Sequence, residues 1–230
     1  MHGDDITSDS SGKDCYRFVK EAGRFLVVKR TPRISTTDLV GRMLLCTRNH
    51  FIKSLPRLLS GEEGSGTRAE RIALGGEMSL QIRDYATDES GSKSGAKVFS
   101  WTSSQEVSKD EASETGGKFK VMVDGKEPRQ DQRIVYVDGG FDLFSSGHIE
   151  FLRQVVKAED AIARNSGWYE GPRKNYAPAF VVVGVHDDEI INHWKGVNYP
   201  IMNIFERGLC VLQCRVISQA IHLTLYDYII

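Results

Sequence analysis

An α/β fold with a parallel sheet is the class this sequence predicts, on three observations. Two near-continuous apolar runs, "RIVYVDGG" and "AFVVVGVH", lie within residues 131–230 and read as strands covered on both faces. Each is followed by a segment of helical spacing, and strand–helix–strand–helix order calls for parallel strands joined by right-handed crossovers. The texture also changes along the chain, which is patterned over 1–59 and 131–230 and polar between them. Two patterned units joined by a disordered linker are therefore expected.

Residues 1–59 carry the first patterned unit. "KDCYRFVKEAG" has helical spacing through Tyr16, Val19 and Ala22 and closes on Gly23, a C-cap residue. "RFLVVKR" suits a short buried strand. Ser35 then stands as N-cap with Asp38 three residues on, resembling a capping box, and Leu39, Met43, Leu44 and Phe51 mark one helix face.

Residues 60–130 contain "SGEEGSGTRAER", "TDESGSKSGAK" and "SKDEASETGGK". Such a composition buries too little apolar surface to offset chain ordering and predicts a mostly disordered linker, with "VFSW" and "FKVMV" as short docking segments.

Residues 131–230 hold the second unit. After "RIVYVDGG" comes a helix with Ile149, Leu152, Val155 and Val156 on one side, then the surface loop "ARNSGWYEGPRKNYAP". "AFVVVGVH" follows as the second strand and "NIFERGLCVLQCR" as a second amphipathic helix.

Bulk properties exclude several classes. With a net charge of −1 and a pI near 6.6, no global basic field points to nucleic acid or an anionic membrane. No N-terminal apolar leader and no run of 18 or more apolar residues is present, so no transmembrane segment is predicted and a cytoplasmic location is expected. Four cysteines do not make a disulfide scaffold here. Cys210 and Cys214 share a helix face but give two ligands only, which reads as buried thiols and predicts no metal site.

The chemistry-bearing stretch is "VYVDGGFDLFSSGHIEFLRQ", a strand, a glycine turn and Gly147–His148 opening a helix. Free N–H groups and the positive end of the helix dipole favour phosphate there, and His148 could donate to developing negative charge. A glycine turn with a surface histidine fits the same spacing. Downstream, Asp187 and Asp188 follow the second strand and could serve a ribose, a metal ion or a base. Lys195, beside Gly196, could swing onto a phosphate, and Arg207 sits in the first turns of a helix. Solvated surface charges are the other reading of all four. Arg30 with Ser35 and Thr36 offers a second candidate phosphate contact, although capping alone accounts for Ser35.

Taken together, "HGDDIT" (2–7), "RTPRISTTDLVGRMLL" (30–45), "YVDGGFDLFSSGH" (136–148) and "NHWKGVNYPIMN" with the later "ER" and "VLQCR" (192–215) resemble the CTP:phosphoethanolamine cytidylyltransferases, fungal members especially. The resemblance implies two Rossmann-like nucleotidyltransferase folds in tandem, each opening with an HxGH motif and closing with RTxGIST. It implies conversion of CTP and phosphoethanolamine into CDP-ethanolamine and pyrophosphate, with Mg²⁺, in phosphatidylethanolamine synthesis. His148 and Lys195 would be catalytic. Gly139, Gly140, Phe141, Asp142, Ser145, Gly147, His148, Asp187, Arg207, Arg30, Ser35 and Thr36 would bind nucleotide. On this reading 1–59 is the end of the first fold and 131–230 the start of the second, so the fold is expected to be incomplete at both ends.

Two departures from the family pattern stand out. Ser145 replaces the first histidine of HxGH, removing a cationic donor. Arg33 takes the glycine's place in RTxGIST, where a positive φ would strain it. A non-catalytic fold that binds nucleotide, or packs against a complete cytidylyltransferase fold, is the second functional expectation. A composite site built from 1–59 and 131–230 is the third.

Overall fold

The computed structural model describes residues 2–3, 7–88, 90–93, 95–103, 117–170, 178–214 and 221–226. The chain divides into two units, Met1–Asp38 and Leu39–Ile230, rather than at residues 59 and 130.

In the first unit β1 (His2–Gly3) pairs in parallel with β2 (Val27–Val28). Between them α1 (Arg17–Glu21) makes little more than one turn, and Gly23 takes the left-handed position after its C-cap, at φ +64°. Val27 and Val28 are about half exposed, so the strand expected to be buried is a short open one: a two-residue ladder offers no second layer to cover it. Residues 4–6 of "HGDDIT" lie outside the described residues. The helix α2 (Thr36–Leu45) starts directly after Ser35, whose Oγ accepts the Asp38 N–H at 3.4 Å. Its expected apolar face is not a core face, with Leu44 78 % exposed.

The second unit takes in α2 from Leu39 onward and continues with α3 (Leu55–Leu59) and α4 (Arg68–Tyr85), followed by β3 (Lys97–Ser103) and β4 (Gly117–Val123). Then come β5 (Ile134–Gly139), α5 (Ser146–Asn165), β6 (Phe180–His186), α6 (Asp188–Lys195), α7 (Ile204–Leu212) and β7 (Ile221–Tyr226). The sheet runs β4-β3-β7-β6-β5, antiparallel between β3 and β4 and parallel elsewhere. Parallel β5 and β6 need a crossover, and α5 supplies it.

The expected linker over 60–130 instead carries α4, β3 and β4. A reciprocal cap starts α4: the Glu70 N–H donates to Thr67 Oγ1, and the Thr67 N–H donates to Glu70 Oε2 at 2.7 Å. Met78 and Ile82, one turn apart, are 4 % exposed each. Gly75 lets α3 close in, since a Cβ there would sit 2.2 Å from the Leu59 carbonyl oxygen. Few apolar residues thus suffice, because they fall on one face. Residues 104–116 of that stretch lie outside the described set.

The core sits where α3, α4 and α7 meet the sheet. Leu55, Ile82, Val98, Phe205, Leu209 and Leu212 come together there, and Val183 and Val185 of β6 are fully buried. β5 differs from expectation. It is one of the sheet's two edge strands, paired among the described residues with β6 alone, and Ile134 is 55 % exposed. Its apolar run matched the pattern of a central strand, but position in the sheet decides burial. Cys210 and Cys214 are free thiols, half-buried and buried respectively, and burial pushes the Cys210 thiol up. No helix among the described residues is long and apolar enough to cross a membrane.

Candidate functional site

Beyond the carboxyl ends of β5 and β6 the chain turns through Gly139 to Ser145 into α5. This is where open α/β sheets bind ligands. Phe141 and Leu143 hold left-handed backbone, at φ +50° and +47°, and Phe141 is 4 % exposed. Such conformations are costly in non-glycine residues and persist only when neighbours hold them. Asp142 holds this turn. Its carboxylate accepts N–H groups of Ile201 at 2.9 Å, Met202 at 2.8 Å and Leu143 at 3.0 Å. Asp142, expected at the nucleotide, therefore anchors the turn to the 201–202 segment.

His148 sits in the first turn of α5 with its ring parallel to Phe144, 5.3 Å between centroids at 16°. Its Nδ1 accepts the Ser145 N–H at 3.1 Å and lies 3.3 Å from Ser145 Oγ. With Nδ1 accepting, the neutral ring carries its proton on Nε2, which leaves an N–H donor for a ligand. A Cβ on Gly147 would meet nothing nearer than Ser145 Oγ at 3.6 Å, so the helix start is open to close approach. Ser145, Gly147 and His148 are thus brought together as expected, with Ser145 positioning the imidazole.

Arg207 is the main correction. Expected at the nucleotide, it is fully buried beneath the turn. Its guanidinium donates to the Gly140 carbonyl at 2.6 Å, the Met202 carbonyl at 3.0 Å and Asp188 Oδ1 at 2.7 Å. Asp188, also fully buried, accepts the Ile52 N–H at 2.8 Å through its other oxygen. Burial pushes the Asp188 carboxyl up, against the pull of Arg207. A buried cation with three protein acceptors ties the turn, α6 and α7 together and does not reach solvent.

Asp187 caps α6, accepting the Ile190 N–H at 2.6 Å, and is 6 % exposed. Burial raises its pKa to about 6, with Asp188 and Glu189 adding to the rise. Lys195 lies at the far end of α6, about 12 Å along the axis from Asp187 at 1.5 Å per residue. Its ammonium sits over the Tyr199 ring, 5.8 Å from the centroid, and among the described residues no hydrogen bond ties it to the turn. Arg30, Ser35 and Thr36 belong to the first unit, Arg30 and Thr36 exposed. Arg33 stands at φ +62°, so the backbone keeps a left-handed conformation where the family pattern has glycine.

Several residues of this region carry no motif. His186 and Asp138, at the ends of β6 and β5, approach to 3.6 Å. Burial lowers the His186 pKa against the Asp138 charge, and its Nδ1 has no partner among the described residues. Arg42 grips Glu206 through two hydrogen bonds at 2.7 and 3.0 Å, with both side chains almost buried. Arg42 also donates to the Ile201 carbonyl, Arg48 to Val197, and His50 Nε2 to Pro200. Residues 42–52 thereby clamp the 197–206 segment that Asp142 grips from the other side. A buried charge leaves no trace in local sequence, because its burial depends on partners 19 to 164 positions away.

Among the described residues no group of three or more His, Cys, Asp or Glu could hold a metal ion. A nucleotide-borne Mg²⁺ needs less, because it keeps waters and takes one or two carboxylates besides phosphate.

No protein-family model matches the chain. Curated sequences do. An ethanolamine-phosphate cytidylyltransferase of Mus musculus is 36 % identical over 96 % of this chain and 48 % of its own length. One of Dictyostelium discoideum is likewise 36 % identical over 96 % of this chain and 48 % of its own length. A probable ethanolamine-phosphate cytidylyltransferase of Schizosaccharomyces pombe is 29 % identical over 95 % of this chain and 47 % of its own length. The chain spans about half the length of the curated relatives it matches. With matches running almost end to end along it, the chain belongs to the ethanolamine-phosphate cytidylyltransferase family.

Proposed function

We propose that the chain transfers a cytidylyl group from CTP to phosphoethanolamine, giving CDP-ethanolamine and pyrophosphate for phosphatidylethanolamine synthesis in the cytoplasm. The observation that carries this is the open start of α5, where Gly147 leaves room and His148 presents Nε2–H. A phosphate oxygen of phosphoethanolamine attacks the α-phosphorus, and the bond from that phosphorus to the β-phosphate oxygen breaks. The work left to the protein is alignment and stabilisation of charge on the phosphates. His148 donates to the crowded α-phosphate, and the α5 N–H groups hold its oxygens. Mg²⁺ bound with CTP would neutralise charge on the leaving pyrophosphate, and Asp187, the buried carboxylate next to the end of β6, would be its holder on this chain. Lys195 reaches the site only by leaving Tyr199. The family likeness further supports a Rossmann-like nucleotidyltransferase fold over 131–226.

The test is formation of CDP-ethanolamine from labelled CTP by the purified chain, beside a His148→Ala control. Product well above the control supports transfer; product equal to the control refutes it.

A second reading rests on Ser145. With a serine in place of a cationic donor, the fold would bind CTP without turnover or pair with a complete cytidylyltransferase fold. Calorimetric CTP binding without product selects this reading.

A further inference from the structure

A second cavity, sharing no residue with the site above, opens between α3, α4 and the β3–β4 hairpin. Its volume is about 280 Å³, at the small end of ligand pockets. Ser100 of β3 stands inside it, 1 % exposed, and its Oγ has no hydrogen-bond partner among the described residues. Directly across the hairpin, in register with Ser100, is Lys120 of β4. Cross-strand partners project from the same face with Cβ atoms about 5 Å apart. From the helix side come Ser79 and Arg83, four residues apart and so on one face of α4. Arg83 and Lys120 are exposed, which puts their charges at the mouth, and neither has an ion-pair partner among the described residues. Among the described residues no carboxylate lines the cavity, and Leu59 and Ile82 give it an apolar wall.

This combination has a chemical complement. Two unbalanced cations beside hydroxyl groups suit a dianion with several acceptor oxygens, since charge-assisted hydrogen bonds are the strong ones. A buried hydroxyl without a partner is unfavourable, and a ligand oxygen would satisfy it. The apolar wall asks for a carbon body behind the phosphate. We propose that this cavity binds a phosphomonoester carrying a short apolar body, its phosphate held by Arg83, Lys120 and Ser100. The proposal is independent of cytidylyl transfer, because it involves no residue of that site.

The probes are n-butyl phosphate, inorganic phosphate, and vesicles of phosphatidylcholine with or without phosphatidic acid. Calorimetry on the full chain should show n-butyl phosphate binding at least tenfold tighter than inorganic phosphate, from burial of its methylenes. Arg83→Ala or Lys120→Ala should each weaken it about tenfold or more, and both together should abolish it. Both residues are exposed, so the melting temperature should hold. Ser100→Ala gives the complementary readout: it should raise the melting temperature of the free protein while weakening binding of the ester. Vesicle capture that requires phosphatidic acid and is lost in the double variant would assign the same site to a lipid source. Binding of neither the free ester nor such vesicles would overturn the proposal, as would binding that the double variant leaves unchanged.

Discussion

Replacing Arg207 by methionine removes the guanidinium and leaves the Asp188 carboxyl fully buried with one backbone N–H as partner. The Gly140 and Met202 carbonyls lose their donors as well. Breaking a buried ion pair from one side costs about 3–5 kcal/mol, because the remaining charge is uncompensated. In a unit of this size each kcal/mol moves the melting temperature by roughly 2–4 °C, so a fall of about 6–20 °C is expected. Circular dichroism melting curves measure it. Pairing Arg207→Met with Asp188→Leu removes the orphaned charge and should recover most of the loss, leaving the unpaired Ile52 N–H and the two carbonyls. If Arg207 instead pointed outward to a phosphate, the single variant would melt within about 2 °C of wild type, as surface substitutions do. That result would refute the buried clamp and the geometry of the turn that depends on it.

Three further outcomes follow from single residues. Asp187, with its folded pKa raised to about 6 from an ordinary 3.8, favours the protonated folded state; that contribution is full below about pH 4 and lost as pH rises through 6. Relative to Asp187→Asn, wild type should therefore lose up to about 3 kcal/mol across that window, measured by urea melts at pH 4, 5, 6 and 7. Equal pH profiles for the two proteins would contradict the burial assigned to Asp187. Arg33 occupies φ +62°, so Arg33→Gly relieves left-handed strain of about 1–2 kcal/mol, less the entropy glycine adds to the unfolded chain. A net gain of roughly 0.5–1 kcal/mol should appear, whereas a loss would mean that the arginine's own contacts outweigh the strain. Ser145→His restores a donor at the α5 cap and should raise CDP-ethanolamine formation on the order of 10²–10³-fold. No change in rate would show that the serine is not what limits turnover.

Local patterns in the sequence were enough to place the β5 turn, the α5 start and β6, because capping, glycine placement and apolar runs are short-range properties. Long-range partners decided the rest. Arg207 carries the same code as a surface arginine, and only the fold surrounds it with Gly140, Met202 and Asp188. Asp142 reads as a ligand contact, yet backbone N–H groups of 201–202 consume its carboxylate. The 60–130 stretch departs from its composition for a different reason. Averaged over its whole length it is polar, while Val98 and Ser100 of β3 and Met78 and Ile82 of α4 concentrate burial on single faces. β5 shows the converse, since an apolar strand at a sheet edge is exposed despite its composition.

The central claim is that the open helix start at Gly147–His148 receives the phosphates of CTP. Gly147→Val tests it, since a Cβ there meets only the Ser145 hydroxyl, at 3.6 Å, in the free protein. Calorimetric titration with CTP and Mg²⁺ should show binding to wild type and at least tenfold weaker binding to Gly147→Val, both proteins melting alike. Equal CTP affinity in the two proteins, or no binding by wild type, would contradict the account.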